Sequence, residues 1–116
     1  MTDRKLIVAR LQPEGATQVA KLFAESDGTD LPNALGVVRR HLFQYQDLYF
    51  QYVEFDGDAD EAMVLARPRP DFIALCDDLA PHVTPYDPRT WQSPADAMAT
   101  QFYSWTRQDN GGTARP

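Results

Sequence analysis

The amino-acid sequence predicts one α+β domain with elements in the order β-α-β-β-α-β, an antiparallel sheet carrying its helices on one face. Three observations lead there. Two runs dense in β-formers, Gly36 to Tyr45 and Leu48 to Phe55, are separated by two residues only, as in a hairpin. Apolar residues recur at three- and four-residue spacing on either side of that hairpin, as amphipathic helices require. The chain's 116 residues suit one domain.

Each element has its own grounds. Lys5-Leu6-Ile7-Val8-Ala9-Arg10-Leu11 is the first strand, broken by Pro13 and Gly15. From Glu14 to Ser26, Ala16, Val19, Ala20, Leu22, Phe23 and Ala24 make the stripe of a helix, which Asp27-Gly28 ends. Leu31-Pro32 falls in the loop that follows. The two strands of the hairpin turn at Gln46-Asp47, so Tyr45 faces Leu48, Leu42 faces Gln51 and Arg40 faces Val53. A helix over Ala59 to Ala66 is interrupted by Arg67-Pro68-Arg69-Pro70 and resumes from Asp71 to Leu79. Pro81, Pro85 and Pro88 break regular structure, and Trp91 to Met98 connects to a last strand, Thr100 to Thr106, rich in aromatics. Residues 1–107 form the domain, and 108–116, with two glycines and little to bury, are expected to be a disordered tail. This order is the split βαβ pattern of ferredoxin-like folds.

Side chains alternate along a strand. Arg40, Leu42, Tyr49, Gln51 and Val53 therefore share one face, with Val38 beside them. Arg39, His41, Phe43, Phe50 and Tyr52 share the other. Alternation leaves open which face meets the helices. A sheet that is apolar on both sides needs cover on both, and a second copy of the chain is the economical cover for the side the helices leave bare. A face that mixes apolar wall with isolated polar groups suits a small-molecule pocket.

Composition excludes several classes. The formal net charge is −6, with no basic stripe, which argues against nucleic acid and anionic membrane as partners. No apolar run approaches the roughly 20 residues of a membrane span. The run after Met1-Thr2-Asp3-Arg4-Lys5 is too short for a signal-peptide core, so a cytoplasmic protein is expected. The single cysteine, Cys76, lies in an apolar helical pattern and reads as a small hydrophobe. His41 and His82 lack a metal-binding spacing, and no glycine-rich phosphate loop is present, so neither metal nor organic cofactor is expected.

Three stretches resemble the tetracenomycin-type aromatic polyketide cyclases. Phe23-Ala24-Glu25-Ser26-Asp27-Gly28-Thr29-Asp30-Leu31-Pro32 looks like their helix-end motif. Val38-Arg39-Arg40-His41-Leu42-Phe43, with Asp47-Leu48-Tyr49, is similar to their central hairpin. Ser93 to Trp105, Ser-Pro-Ala-Asp-Ala-Met-Ala-Thr-Gln-Phe-Tyr-Ser-Trp, looks like their C-terminal signature. The likeness runs from Leu6 to Thr106. It implies a ferredoxin-like domain that pairs through its sheets into a dimeric α/β barrel, with a cavity between helices and sheet in each subunit. It also implies regiospecific aldol closure and dehydrative aromatisation of a poly-β-keto intermediate, free or carried on a carrier protein.

Carbons between two carbonyls are already acidic. What the reaction asks for is placement of the chain, a cation at the developing oxyanion and a carboxylate to move a proton. With the resemblance, Arg40 and Asp27 take the last two roles, and Ser26, Leu42, Tyr49, Gln51 and Val53 bind substrate. Ser26 and Gln51 stand where better-known members carry histidine; neither is a base near neutral pH, though both can hydrogen-bond. Two other readings share these features: a cofactor-free polyketide monooxygenase of the same fold, and a non-catalytic chaperone that shapes the reactive chain.

Overall fold

The structure, a computed structural model, describes residues 3–91 and 94–107. The expected tail, 108–116, lies outside the described residues, as do Gln92 and Ser93. Strand β1 (Asp3–Leu11) leads into helix α1 (Gly15–Asp27) and a short helix α2 (Leu31–Leu35). The hairpin β2 (Val37–Tyr45) and β3 (Leu48–Phe55) follows, then α3 (Ala59–Ala66), α4 (Pro70–Leu79) and a two-residue strand β4 (Val83–Thr84). A 3₁₀ turn spans Pro94–Ala97. The sheet is antiparallel in the order β2-β3-β1-β4.

The hairpin register is the one counted from the sequence: Tyr45 pairs with Leu48, Leu42 with Gln51 and Arg40 with Val53. Gln46 turns with φ 54°, doing without the glycine such a turn prefers. Burial along β3 alternates strictly, with Tyr49, Gln51, Val53 and Phe55 buried. The helices therefore cover the face that carries Arg40 and Gln51. Ala9, Leu11, Val19, Phe23 and Tyr49 form one core cluster, joined by Leu42, Leu75 and Leu79; Val53, Phe55, Ala59 and Ala62 form a second.

Local signals explain the ends. Asp58 caps α3, its Oδ1 accepting from the backbone N–H of Asp60 at 2.8 Å and of Glu61 at 3.0 Å. Asp3 adds a second acceptor there, taking the N–H of Ala59 at 3.0 Å. Pro70 opens α4, where its missing N–H costs nothing. Gly36 ends α2 at φ 75°, and a Cβ there would stand 2.5 Å from Asp56 Oδ1.

Three sequence expectations are corrected. Leu31-Pro32 starts helix α2 rather than lying in loop, since Pro suits a first helical position. Val38 is not on the helix-covered face: β2 bulges between Val37 and Arg39, so Val37 takes the inward place and Val38 is 53% exposed. Thr100 to Thr106 forms no strand. The edge position beside β1 is held by Val83–Thr84 and by one bridge, Ile7 to Met98, with the N–H of Ala99 donating to the carbonyl of Leu6. Beyond it the chain leaves the sheet, and Phe102, at 96% exposure, packs on nothing among the described residues.

Candidate active site

Between the sheet and helices α1, α2, α3 and α4 lies one cavity of about 390 Å³. That falls within the roughly 300–1,000 Å³ of small-molecule sites. Its wall is mostly apolar, from Ile7, Phe23, Leu31, Val53, Phe72 and Leu75 among others. Few polar groups break that wall, and the hairpin supplies three of them: Arg40, Tyr49 and Gln51.

Those three are wired together. Arg40 lies diagonally across the hairpin from Gln51, a spacing long side chains can bridge. Arg40 Nη1 donates to Gln51 Oε1, and Gln51 Nε2 donates to the Tyr49 hydroxyl at 3.0 Å. From the other side, Arg40 forks onto Asp27 at the end of α1, with Nη2 to Oδ1 at 2.9 Å and Nε to Oδ2 at 3.0 Å. The guanidinium lies over the Phe23 ring, 4.6 Å from its centroid. Four contacts thus hold a largely buried cation, and planar arginine suits them better than lysine would. Burial pushes the Tyr49 phenol up to about 12, against a smaller opposing effect from the Gln51 hydrogen bond.

The sequence-predicted residues divide. Arg40, Tyr49, Gln51 and Val53 line the cavity. Asp27 is not on its wall and reaches it through Arg40. Ser26 and Leu42 do not line it. Ser26 is held in the last turn of α1, where its carbonyl accepts from the hydroxyl and N–H of Thr29. Leu42 packs into the first core cluster. Glu54 pairs with Arg39 on the opposite face, 2.8 Å away. None of Phe102, Tyr103 and Trp105 is on the cavity wall.

Other lining residues escaped the sequence reading. Lys5 reaches the cavity from β1, in one cross-strand row with Val53 and Arg40, and lies 3.7 Å from the exposed Asp60 carboxylate. Strand alternation could have found it, because Lys5, Ile7 and Ala9 share parity. Thr84 comes from the proline-broken stretch and Trp91 from the start of the connecting segment. Cys76 edges the wall too, still partly exposed, and its partly desolvated setting pushes the thiol up, away from the reactive thiolate. No group of three His, Cys, Asp or Glu side chains among the described residues could hold a metal ion.

The opposite face of the sheet is partly bare. Leu6 and Val8 of β1, Phe50 and Tyr52 of β3, and His41 and Phe43 of β2 lie there, with His41 stacked on Tyr52 at 6.1 Å between ring centroids. Phe43 is 58% exposed.

Comparison with known proteins agrees with this geometry. The family model for polyketide synthesis cyclases matches residues 3–106. Tetracenomycin F2 cyclase of Streptomyces glaucescens is 41% identical over 110 residues, covering 95% of this chain and 100% of that protein. Polyketide synthase CurG of Streptomyces cyaneus is 39% identical over 102 residues, 88% of this chain and 95% of that one. The solved structure of the tetracenomycin F2 cyclase, described as a type-II polyketide cyclase, superposes with a TM-score of 0.82, over 90% of this chain and 97% of that chain.

Proposed function

The chain belongs to the polyketide synthesis cyclase family, and we propose that within it the chain directs aldol closure and dehydrative aromatisation of a poly-β-keto intermediate in this cavity. The observation that carries this is a fixed guanidinium opening on an apolar cavity, with Asp27 behind it. The cavity folds the chain so that an acidic methylene meets the right carbonyl. Arg40 meets the oxyanion that forms as the carbon–carbon bond closes, in surroundings where charge is weakly screened. Asp27 orients Arg40 and, standing behind it rather than on the wall, takes up the proton that leaves carbon by way of water. Tyr49, Gln51 and Val53 seat the substrate.

A homodimer in the cytoplasm is part of the same proposal. Two observations support the dimer: the bare sheet face, and an arm at 100–107 whose aromatics Phe102, Tyr103 and Trp105 are largely exposed. Among the described residues no helix is long and apolar enough to cross a membrane.

The test is to supply a reactive poly-β-keto chain from a minimal synthase and compare products and rates with and without the protein. Faster ring closure with one dominant regiochemistry supports the cyclase. Selective products at the spontaneous rate would mean a chaperone, and oxygen uptake with a reduced anthrone would mean a monooxygenase.

A further inference from the structure

We propose that Tyr49 is the hydroxyl that donates its proton to the acceptor carbonyl oxygen as the ring closes, a role fixed by the direction of the hydrogen bonds that reach it. This rests on the cyclase reading above.

The argument starts at Arg40, which has donors and no acceptor. Its Nη1 can bond only the carbonyl end of the Gln51 amide, so Oε1 faces Arg40 and the amide cannot turn over. Nε2 must then face Tyr49, and an amide NH₂ only donates. The Tyr49 oxygen is therefore the acceptor at 3.0 Å, and its own proton is committed to no bond with Gln51. Tyr49 is only 4% exposed, and no acceptor for that proton stands among the described residues. A buried hydroxyl without an acceptor is costly, and Tyr49 lines the cavity. The partner it lacks is an oxygen supplied by the substrate. The phenol's shift to about 12 keeps it protonated at the pH of the cell.

The step balances as an isomerisation. One proton leaves the carbon between two carbonyls, the new carbon–carbon bond forms, and the carbonyl π pair moves onto oxygen. Tyr49 passes its proton to that oxygen, leaving the β-hydroxy ketone. The phenolate recovers a proton from water, to which the carbon's proton was released through Asp27. Arg40 bears the charge and Tyr49 delivers the proton, so one oxygen meets two donors.

Tyr49→Phe keeps the ring and removes the proton. Its kcat should fall on the order of a hundredfold, with KM raised by no more than about tenfold and the product the same. Melting curves check that the variant is folded. A polyfluorinated tyrosine at position 49, similar in shape and far more acidic, should give a kcat that declines between about pH 7 and 10, where the natural protein is level. Titration with 1,8-dihydroxyanthraquinone, whose carbonyl can take the same hydrogen bond, should show about tenfold weaker binding for Tyr49→Phe. Wild-type kcat in Tyr49→Phe, or a level pH profile with the fluorinated residue, overturns the donor and leaves the cyclase standing. A natural protein no faster than spontaneous closure overturns the cyclase reading and the donor with it.

Discussion

Arg40→Ala removes the element on which the site is assembled, and both consequences can be sized. For stability, the carboxylate of Asp27 is 37% exposed, so water can replace the guanidinium, and the loss is about 0.5–1 kcal/mol. Gln51 is only 8% exposed, and its carbonyl loses its donor, a cost of about 1–3 kcal/mol that shrinks if water enters the vacated space. The sum is about 1.5–4 kcal/mol, or a melting temperature lower by roughly 5–15 °C for a domain of this size. For activity, a removed oxyanion donor costs on the order of a hundredfold in kcat. Arg40→Lys should recover part of it, because an ammonium cannot fork onto Asp27 and reach Gln51 together. The assay is the rate of ring closure above the spontaneous rate, with products resolved by chromatography, at a temperature where circular dichroism shows each variant folded. Folded Arg40→Ala with wild-type rate and products would refute side-chain catalysis and leave cavity shape as the whole effect.

Four further outcomes are expected. Asp27→Asn should keep the fold and lower kcat by about tenfold or more, read in the same assay, since both orientation and proton relay suffer. Gly36→Ala should lower the melting temperature by several degrees, costing about 1–2 kcal/mol, because the residue sits at φ 75° and its Cβ would meet Asp56. Phe43→Glu, on the bare sheet face, should shift sedimentation from twice 13.1 kDa to the monomer without changing the cavity. Asp3 is held below its usual carboxylate range, first by the Ala59 N–H. A depressed folded-state value stabilises above the unfolded value near 3.8 and is lost as pH falls through the folded one. Asp3→Asn should therefore lower the melting temperature at neutral pH and leave a smaller further drop below about pH 4, measured by a thermal scan across pH.

Legibility in the sequence followed the range of the interactions. Hairpin register needs only a count from the turn, so Arg40, Tyr49, Gln51 and Val53 were placed on one face correctly. The bulge at Val38 was invisible because alternation assumes an unbroken ladder, and nothing local in Val37-Val38-Arg39 marks the extra residue. The Arg40–Asp27 pair spans 13 residues and closes around a helix the sequence hid behind Leu31-Pro32. No local spacing rule connects the two, and resemblance alone suggested them. Lys5 shares strand parity with Ile7 and Ala9, and only the pairing of β1 with β3 puts that row on the cavity side. The aromatics from Phe102 to Trp105 have the composition of a strand. Composition does not supply a partner, however, and among the described residues no strand pairs with them.

The hairpin makes the length of this protein a matter of odd and even. Inward and outward positions interleave from Arg39 to Phe55, so Gln51 sits between Phe50 and Tyr52, which face the other way. Loss of a single residue between Arg40 and the turn would carry Arg39 into the cavity and put Arg40 outside. Related sequences can then vary in length at the Arg67 to Pro70 break without disturbing this arrangement, whereas between positions 39 and 55 a one-residue change would exchange the two environments at a stroke. Selection at such a hairpin acts on the count of residues as strictly as on their kind.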